Sequence, residues 1–220
     1  MKLDLRWELP QWLLIAGMFL STAIIWPSTP DRVPTHWNAA GEVDGYGGRF
    51  MGLLLLPLVT LGLYLLLYFI PRIDPKRASY DSFAGAYGAI RIATIALMAV
   101  IHALVLLWIK GIKINATVVV LGGVGVLFIV IGLAMGNIQP NWFAGIRTPW
   151  TLSSKRSWEK THRLGRWIFS GMGLAMIGAG FLAPALMLPV ILIVSLGGSG
   201  VLVAYSYVQW RNDPDRRDGG

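Results

Sequence analysis

The chain has 220 residues, of which 55% are hydrophobic and 14% charged, with 10 tryptophans, no cysteine and a formal charge of +8. An ordinary soluble domain carries roughly a quarter of its residues as charges, so this composition excludes one. Its repeated uncharged runs approach the about 20 residues that a bilayer span needs. No connection between those runs is long enough for a separate catalytic domain, and the missing cysteines exclude disulfides, thiolate metal sites and a thiol nucleophile.

A charge at the bilayer centre is costly, so charge-free runs mark the spans. The first lies within residues 9–30 and ends near Trp26, ahead of Pro27. The second fills 51–70, the third runs over about 92–109 between Arg91 and Lys110, and the fourth occupies 116–136. Residues 167–210 carry no charge and are too many for one helix. They read as two spans, about 167–183 and 190–208, with Pro184 and Pro189 marking the turn because proline removes a backbone donor. Asp4 and Glu8 dilute the basic head formed by Lys2 and Arg6, and no small-residue cleavage site follows, so the first span is expected to be retained rather than cleaved as a signal peptide.

Orientation follows from lysine and arginine, which short loops keep on the cytoplasmic side. With the N-terminus inside, the cytoplasmic segments hold Lys2, Arg6, Arg72, Lys76, Arg77, Arg147, Lys155, Arg156, Lys160, Arg163, Arg166, Arg211, Arg216 and Arg217. The outer ones hold only Arg32, Arg49, Lys110 and Lys113. The expected fold is therefore an all-α integral membrane protein with six transmembrane helices, both termini cytoplasmic and a short amphipathic cytoplasmic helix before span five. Residues 1–115 form a region of spans one to three, 116–210 a region of spans four to six, and 211–220 a cytoplasmic tail. Attraction to anionic inner-leaflet lipid accounts for the net charge, and no direct contact with nucleic acid is implied.

Two connections are long enough to carry function. The outer one, within residues 27–50, contains His36, Asn38, Glu42 and Asp44 among prolines and glycines, and Asp44-Gly45 favours a tight reversal with positive φ. These polar side chains either converge on a cation or a basic group of a peptide, or satisfy the backbone of a compact cap. In the inner loop, 137–166, Ser153 or Ser154 can cap a helix over about 155–164, in which Glu159 stands four residues before Arg163, the favoured direction for an ion pair. Trp158, Thr161, His162 and Gly165 then share a face, which lies either on the bilayer or on neighbouring helices. The same loop mixes Trp142, Phe143, Trp150 and Trp158 with cations, and tryptophan and arginine dominate protein–protein hot spots.

Inside the spans, His102 stands eleven residues beyond Arg91, about 16 Å along a helix and near mid-bilayer. An ionisable group there is either a proton relay or a neutral side chain bonded to a neighbouring helix. Gly132 with Gly136, and the glycine clusters at 122–125 and 197–200, are signals of close helix packing. The sequence has no H-E-x-x-H, P-loop or G-x-S-x-G spacing, so no catalytic residue, cofactor or metal is expected.

The stretch PNWFAGIRTPWTLSSKRSWEKTHRLG, residues 140–165, resembles the signature of the SdpI family of bacterial membrane proteins, named for an immunity protein against a secreted sporulation-delaying toxic peptide. The segment PDRVPTHWNAAGEVDGYG, residues 30–47, is similar to a domain of unknown function that often precedes that signature, with the core P-x-H-W/F-N-x-x-G-x-x-D-G. The resemblance implies a multipass protein of the bacterial cytoplasmic (inner) membrane, not an enzyme, that confers resistance to a secreted toxic peptide at its outer face and signals by recruiting a transcriptional autorepressor at its cytoplasmic face. By motif position it implies binding residues Asn141, Gly145, Arg147, Thr148, Pro149, Trp150, Trp158 and His162 inside, with Ile146, Thr161 and Gly165 beside them. Outside, it implies His36, Asn38, Gly41, Asp44 and Gly45, next to Glu42. Arg166 stands where a second glycine is usual. The competing reading is a small transporter or proton-coupled exporter using His102.

Overall fold

The computed structural model describes residues 4–182 and 186–215. In chain order these form α1 (Leu5–Ile25), β1 (Val33–Trp37), β2 (Val43–Gly47), α2 (Leu55–Ile73), α3 (Ala84–Ile109), α4 (Ala116–Met135), α5 (Pro149–Ser153), α6 (Lys155–Leu182) and α7 (Met187–Arg211). Among the described residues, five helical segments are long and apolar enough to cross a membrane: Leu5–Ser28, Phe50–Ile73, Arg77–Ile109, Ala116–Met135 and Met187–Arg211. The apolar half of α6 covers the expected fifth span.

The six long helices alternate in direction. The hairpin β1–β2 joins α1 to α2 and meets the start of α4, where Thr117 Oγ1 donates to the Asn38 carbonyl at 3.1 Å. The 137–153 loop lies at the other end of the bundle, where Trp142 N donates to Asp74 just past α2 at 3.0 Å. Small residues set the tightest packing, α4 against α6. A Cβ on Gly125 would come within 2.8 Å of the Gly173 carbonyl, and one on Gly132 within 2.7 Å of Ser170 N. Gly132 thus works inside the bundle, whereas Gly197 and Gly200 meet no neighbour.

Several expectations need correction. The all-α plan stands, with one element added to it: residues 33–47 pair as a two-stranded antiparallel hairpin. Asp44-Gly45 is not its reversal. The turn runs over Asn38–Gly41, where Gly41 has φ +82°, while Asp44 and Gly45 lie in β2. The amphipathic segment and the fifth span are one helix of 28 residues. A chain entering apolar surroundings must keep its backbone bonded within the segment, and Gly165 does not end the helix but lets Ile146, Met135 and Leu202 approach. Pro189 lies in the first turn of α7, where a missing N–H costs nothing; Pro184 and Ala183 lie outside the described residues, as do Lys2, Arg216 and Arg217. Glu159 pairs with Lys155, at 3.9 Å, rather than with Arg163.

The first and third helices extend further than expected, to Leu5 and Ala84. This carries Glu8 and Arg91 into the packed interior, where Arg91 Nη1 and Nη2 grip the Glu8 carboxylate at 2.7 and 2.9 Å and the Tyr64 hydroxyl donates to it at 2.8 Å. A paired, hydrogen-bonded charge is the form in which ionisable groups are tolerated there, and of the guanidinium only the buried Nε lacks a partner among the described residues. The pair ties α1 to α3, with α2 contributing the tyrosine.

Candidate functional site

The loop between α4 and α6 is built around buried polar side chains. Asn141 is fully buried. Its Nδ2 donates to the carbonyls of Gln139 and Ala144, both at 2.9 Å, and its Oδ1 accepts from Phe143 N at 2.9 Å and Ala144 N at 2.6 Å. A side-chain amide offers two donors and one acceptor oxygen, so asparagine can close such a turn by itself. Asp74, at the end of α2, accepts from Trp142 N and from the Tyr80 hydroxyl, each at 3.0 Å, and fixes the outer edge of the turn.

His162 holds the next segment. Its Nδ1 donates to the Trp158 carbonyl at 2.8 Å and its Nε2 accepts from Ile146 N at 3.1 Å. Those two bonds require the neutral ring with the proton on Nδ1, since a protonated Nε2 would face another N–H. Burial pushes the His162 pKa down to about 4. The imidazole also stacks on Trp158, with centroids 4.1 Å apart, and Trp158 Nε1 donates to the Ile138 carbonyl at 2.9 Å. Gly145 is required here twice over: its φ is +107°, and a Cβ would lie 2.4 Å from His162 Nε2.

Thr148 caps α5 by accepting from Thr151 N at 3.1 Å, and Pro149 occupies the first helical position, where it loses no hydrogen bond. Thr148 also meets Ser206 of α7 at 2.9 Å, and Trp150 packs edge-on against Tyr207. Ser154 accepts from Ser157 N at 2.9 Å, capping α6, and its hydroxyl donates to Asp213 beyond α7. That hydrogen bond holds the Asp213 carboxyl below the usual carboxylate range.

Of the residues expected at the inner site, Asn141, Thr148, Trp158 and His162 are therefore buried as the hydrogen-bonded frame of the loop, and Thr161 is buried on the same face of α6 with no partner for its hydroxyl among the described residues. What the frame holds outward is Trp142, Phe143 and Arg147, the first two 49% and 40% exposed. The Arg147 guanidinium donates to the Trp142 carbonyl, which keeps the three side by side.

At the hairpin end the arrangement is different. Asn38 Oδ1 accepts from Ala40 N and Glu42 N at 2.9 and 3.1 Å, closing the turn, and Asn115 Nδ2 donates to the Ala40 carbonyl at 3.1 Å. His36 and Asp44 meet across the strands at 2.5 Å on the exposed face. A groove of about 460 Å³ runs between the turn and the α3–α4 connection, lined by Glu42, Tyr46, Trp108 and Lys113. Among the described residues, no three His, Cys, Asp or Glu side chains converge as metal ligands would.

His102 is buried, and its Nε2 lies 3.2 Å from Thr22 Oγ1. His102 lies seven residues, about 10 Å, from the hairpin end of α3, which ends at Ile109. The residues missed in the sequence reading are Asp74, Tyr80, Ser206, Asp213 and the Glu8–Arg91–Tyr64 cluster.

Comparison with known proteins matches this division. Residues 13–61 match a domain of unknown function, DUF1648, and residues 137–208 match the SdpI/YfhL protein family. The chain is also 22% identical over 151 residues to "Immunity protein SdpI" of Bacillus subtilis (strain 168), covering 69% of this chain and 70% of that one. No solved structure matches. The SdpI/YfhL match begins at Asn137 and takes in the polar frame from Asn141 to Ser206, while Asp74, Tyr80 and Asp213 lie outside it. No comparison favours the transporter reading of His102, whose ring meets the Thr22 hydroxyl.

Proposed function

We propose that this chain is a six-span immunity protein of the bacterial cytoplasmic membrane that protects its cell from a secreted toxic peptide. The observation that carries this reading is the similarity to a B. subtilis immunity protein across two thirds of both chains, together with the SdpI/YfhL match over the framed loop. In this reading the hairpin end faces outward and the apolar half of α6 is the fifth span. Both chain ends lie with the basic loop in the cytoplasm, following the asymmetry of lysine and arginine.

Peptide meets the protein at the hairpin, where the His36–Asp44 pair, Glu42 and the Tyr46–Trp108 groove offer charge and aromatic surface together. The loop end is the effector surface. Trp142, Phe143 and Arg147 are residue types that anchor protein partners, and they suit capture of a transcriptional autorepressor; direct contact with nucleic acid is not part of this reading.

The test is survival of a sensitive strain expressing the chain under challenge with the sporulation-delaying peptide, at verified membrane levels. Wild type is expected to protect and His36→Ala/Asp44→Ala to lose protection. Trp142→Ala is expected to keep protection while silencing a reporter driven by the autorepressor. No protection by wild type would remove the immunity reading.

A further inference from the structure

A second site lies inside the bundle. A cavity of about 290 Å³ opens beneath the framed loop, in the third of the bundle nearest the motif end. Its walls come from the last turns of α2 and α4 (Leu67, Ile70, Ile131, Met135), the first turns of α3 and Phe169 of α6, and residues 143–146 roof it. The lining is apolar throughout. The one hydroxyl on its wall, that of Tyr87, is already donated to the Leu67 carbonyl at 2.6 Å.

Two features identify an occupant. First, α2 and α6 both line the cavity but are not packed together. The cavity fills the gap between two apolar helices, so the medium it opens to in a bilayer is hydrocarbon, and a water-filled apolar cavity of this size is unfavourable. Second, exposed arginines stand at the motif end of two parts of its lining, the roof and α6. Arg147 follows Ile146 of the roof, and Arg166, one turn before Phe169, lies over Trp167; Arg72, beyond Ile70, turns away and donates to the Tyr68 carbonyl at 2.6 Å. Arginine presents planar, bidentate donors suited to phosphate. An apolar slot of acyl-chain character with cations at its headgroup end matches one class of ligand.

We propose that the cavity binds one tail of an anionic phospholipid of the adjoining leaflet, with Arg147 and Arg166 receiving the headgroup. Because Phe143, Ala144 and Ile146 form its roof, the lipid supports the loop from below. This site depends on the membrane placement of the chain and not on the immunity reading.

The experiment uses the full chain, purified in mild detergent, stripped of lipid and exposed to phosphatidylglycerol, phosphatidylcholine or oleic acid, with bound species counted by native mass spectrometry. Wild type is expected to retain one phosphatidylglycerol per chain, about tenfold more tightly than phosphatidylcholine. Ile131→Trp, which fills the cavity, is expected to lose that retention. Ile131→Ala, which enlarges it, is expected to keep it and so controls for misfolding at the same position. Equal retention of phosphatidylglycerol and phosphatidylcholine, preference for oleic acid, or undiminished retention by Ile131→Trp would overturn the proposal.

Discussion

The two ends of the bundle carry motifs of the same outward kind, loops dense in glycine, aromatic and polar residues, and they use them in opposite ways. At the hairpin end His36, Glu42 and Asp44 stay at the surface, and only Asn38 works on the backbone. At the motif end Asn141, Thr148, Trp158 and His162 are buried, and their hydrogen bonds hold the chain to itself. The difference teaches that a signature residue can serve a surface without being on it. In the first case the motif is the surface. In the second it is the frame, and Trp142, Phe143 and Arg147 are what it presents.

That contrast predicts a graded series of effects. The largest belongs to Trp158→Ala, which removes a fully buried ring from the core with Tyr80, Phe83 and Tyr87 and should cost about 3–5 kcal/mol in thermal or denaturant unfolding in detergent. A loss below about 1 kcal/mol would mean that the ring does not hold the loop.

Acid should act nearly as strongly, and through His162. Its pKa is about 4 in the folded chain against an ordinary value of 6.5, so between these pH values the unfolded chain binds a proton that the folded one does not. Stability is complete above pH 6.5 and falls as the pH drops toward 4, by up to about 3 kcal/mol. Limited proteolysis should open the 141–147 loop in this window, and His162→Gln should flatten the dependence.

Asn141→Ala comes next, at about 1–3 kcal/mol, because it strands the N–H groups of Phe143 and Ala144. At the hairpin end Gly41→Ala should cost about 1 kcal/mol, from its positive φ. Asp44→Asn should cost less than about 1 kcal/mol, since its pair with His36 is exposed, and its effect is expected in peptide protection instead. Reversal of this order, with the hairpin substitutions the more destabilising, would break the contrast.

Much of the helical plan is legible in the sequence because uncharged runs and basic flanks report burial in hydrocarbon directly. The shared face of Trp158, Thr161, His162 and Gly165 is legible for a similar reason: helical spacing alone puts them together, and the structure turns that face onto neighbouring helices. The hairpin is not legible, since residues 33–47 lack a run of alternating apolar residues and pair through a register shift at His36. Glu8 and Arg91 read as flanking charges, and only the contact between α1 and α3 makes them a buried pair. Their signal is a lone acid and a lone base, each bordering an apolar run. Asp74 and Ser206 were missed because the partners that tie them to the loop, Trp142 and Thr148, are 68 and 58 residues away, beyond any local pattern.

The absence of cysteine allows the most direct test, single cysteines introduced for labelling with a membrane-impermeant maleimide. His36→Cys and Glu42→Cys are predicted to react in intact cells, Trp142→Cys only after the membrane is opened, and Thr151→Cys, buried in the frame, not in either state. Labelling of Trp142→Cys from outside, or of Thr151→Cys as fast as Trp142→Cys, would contradict a bundle that displays one motif outward and uses the other as an internal frame.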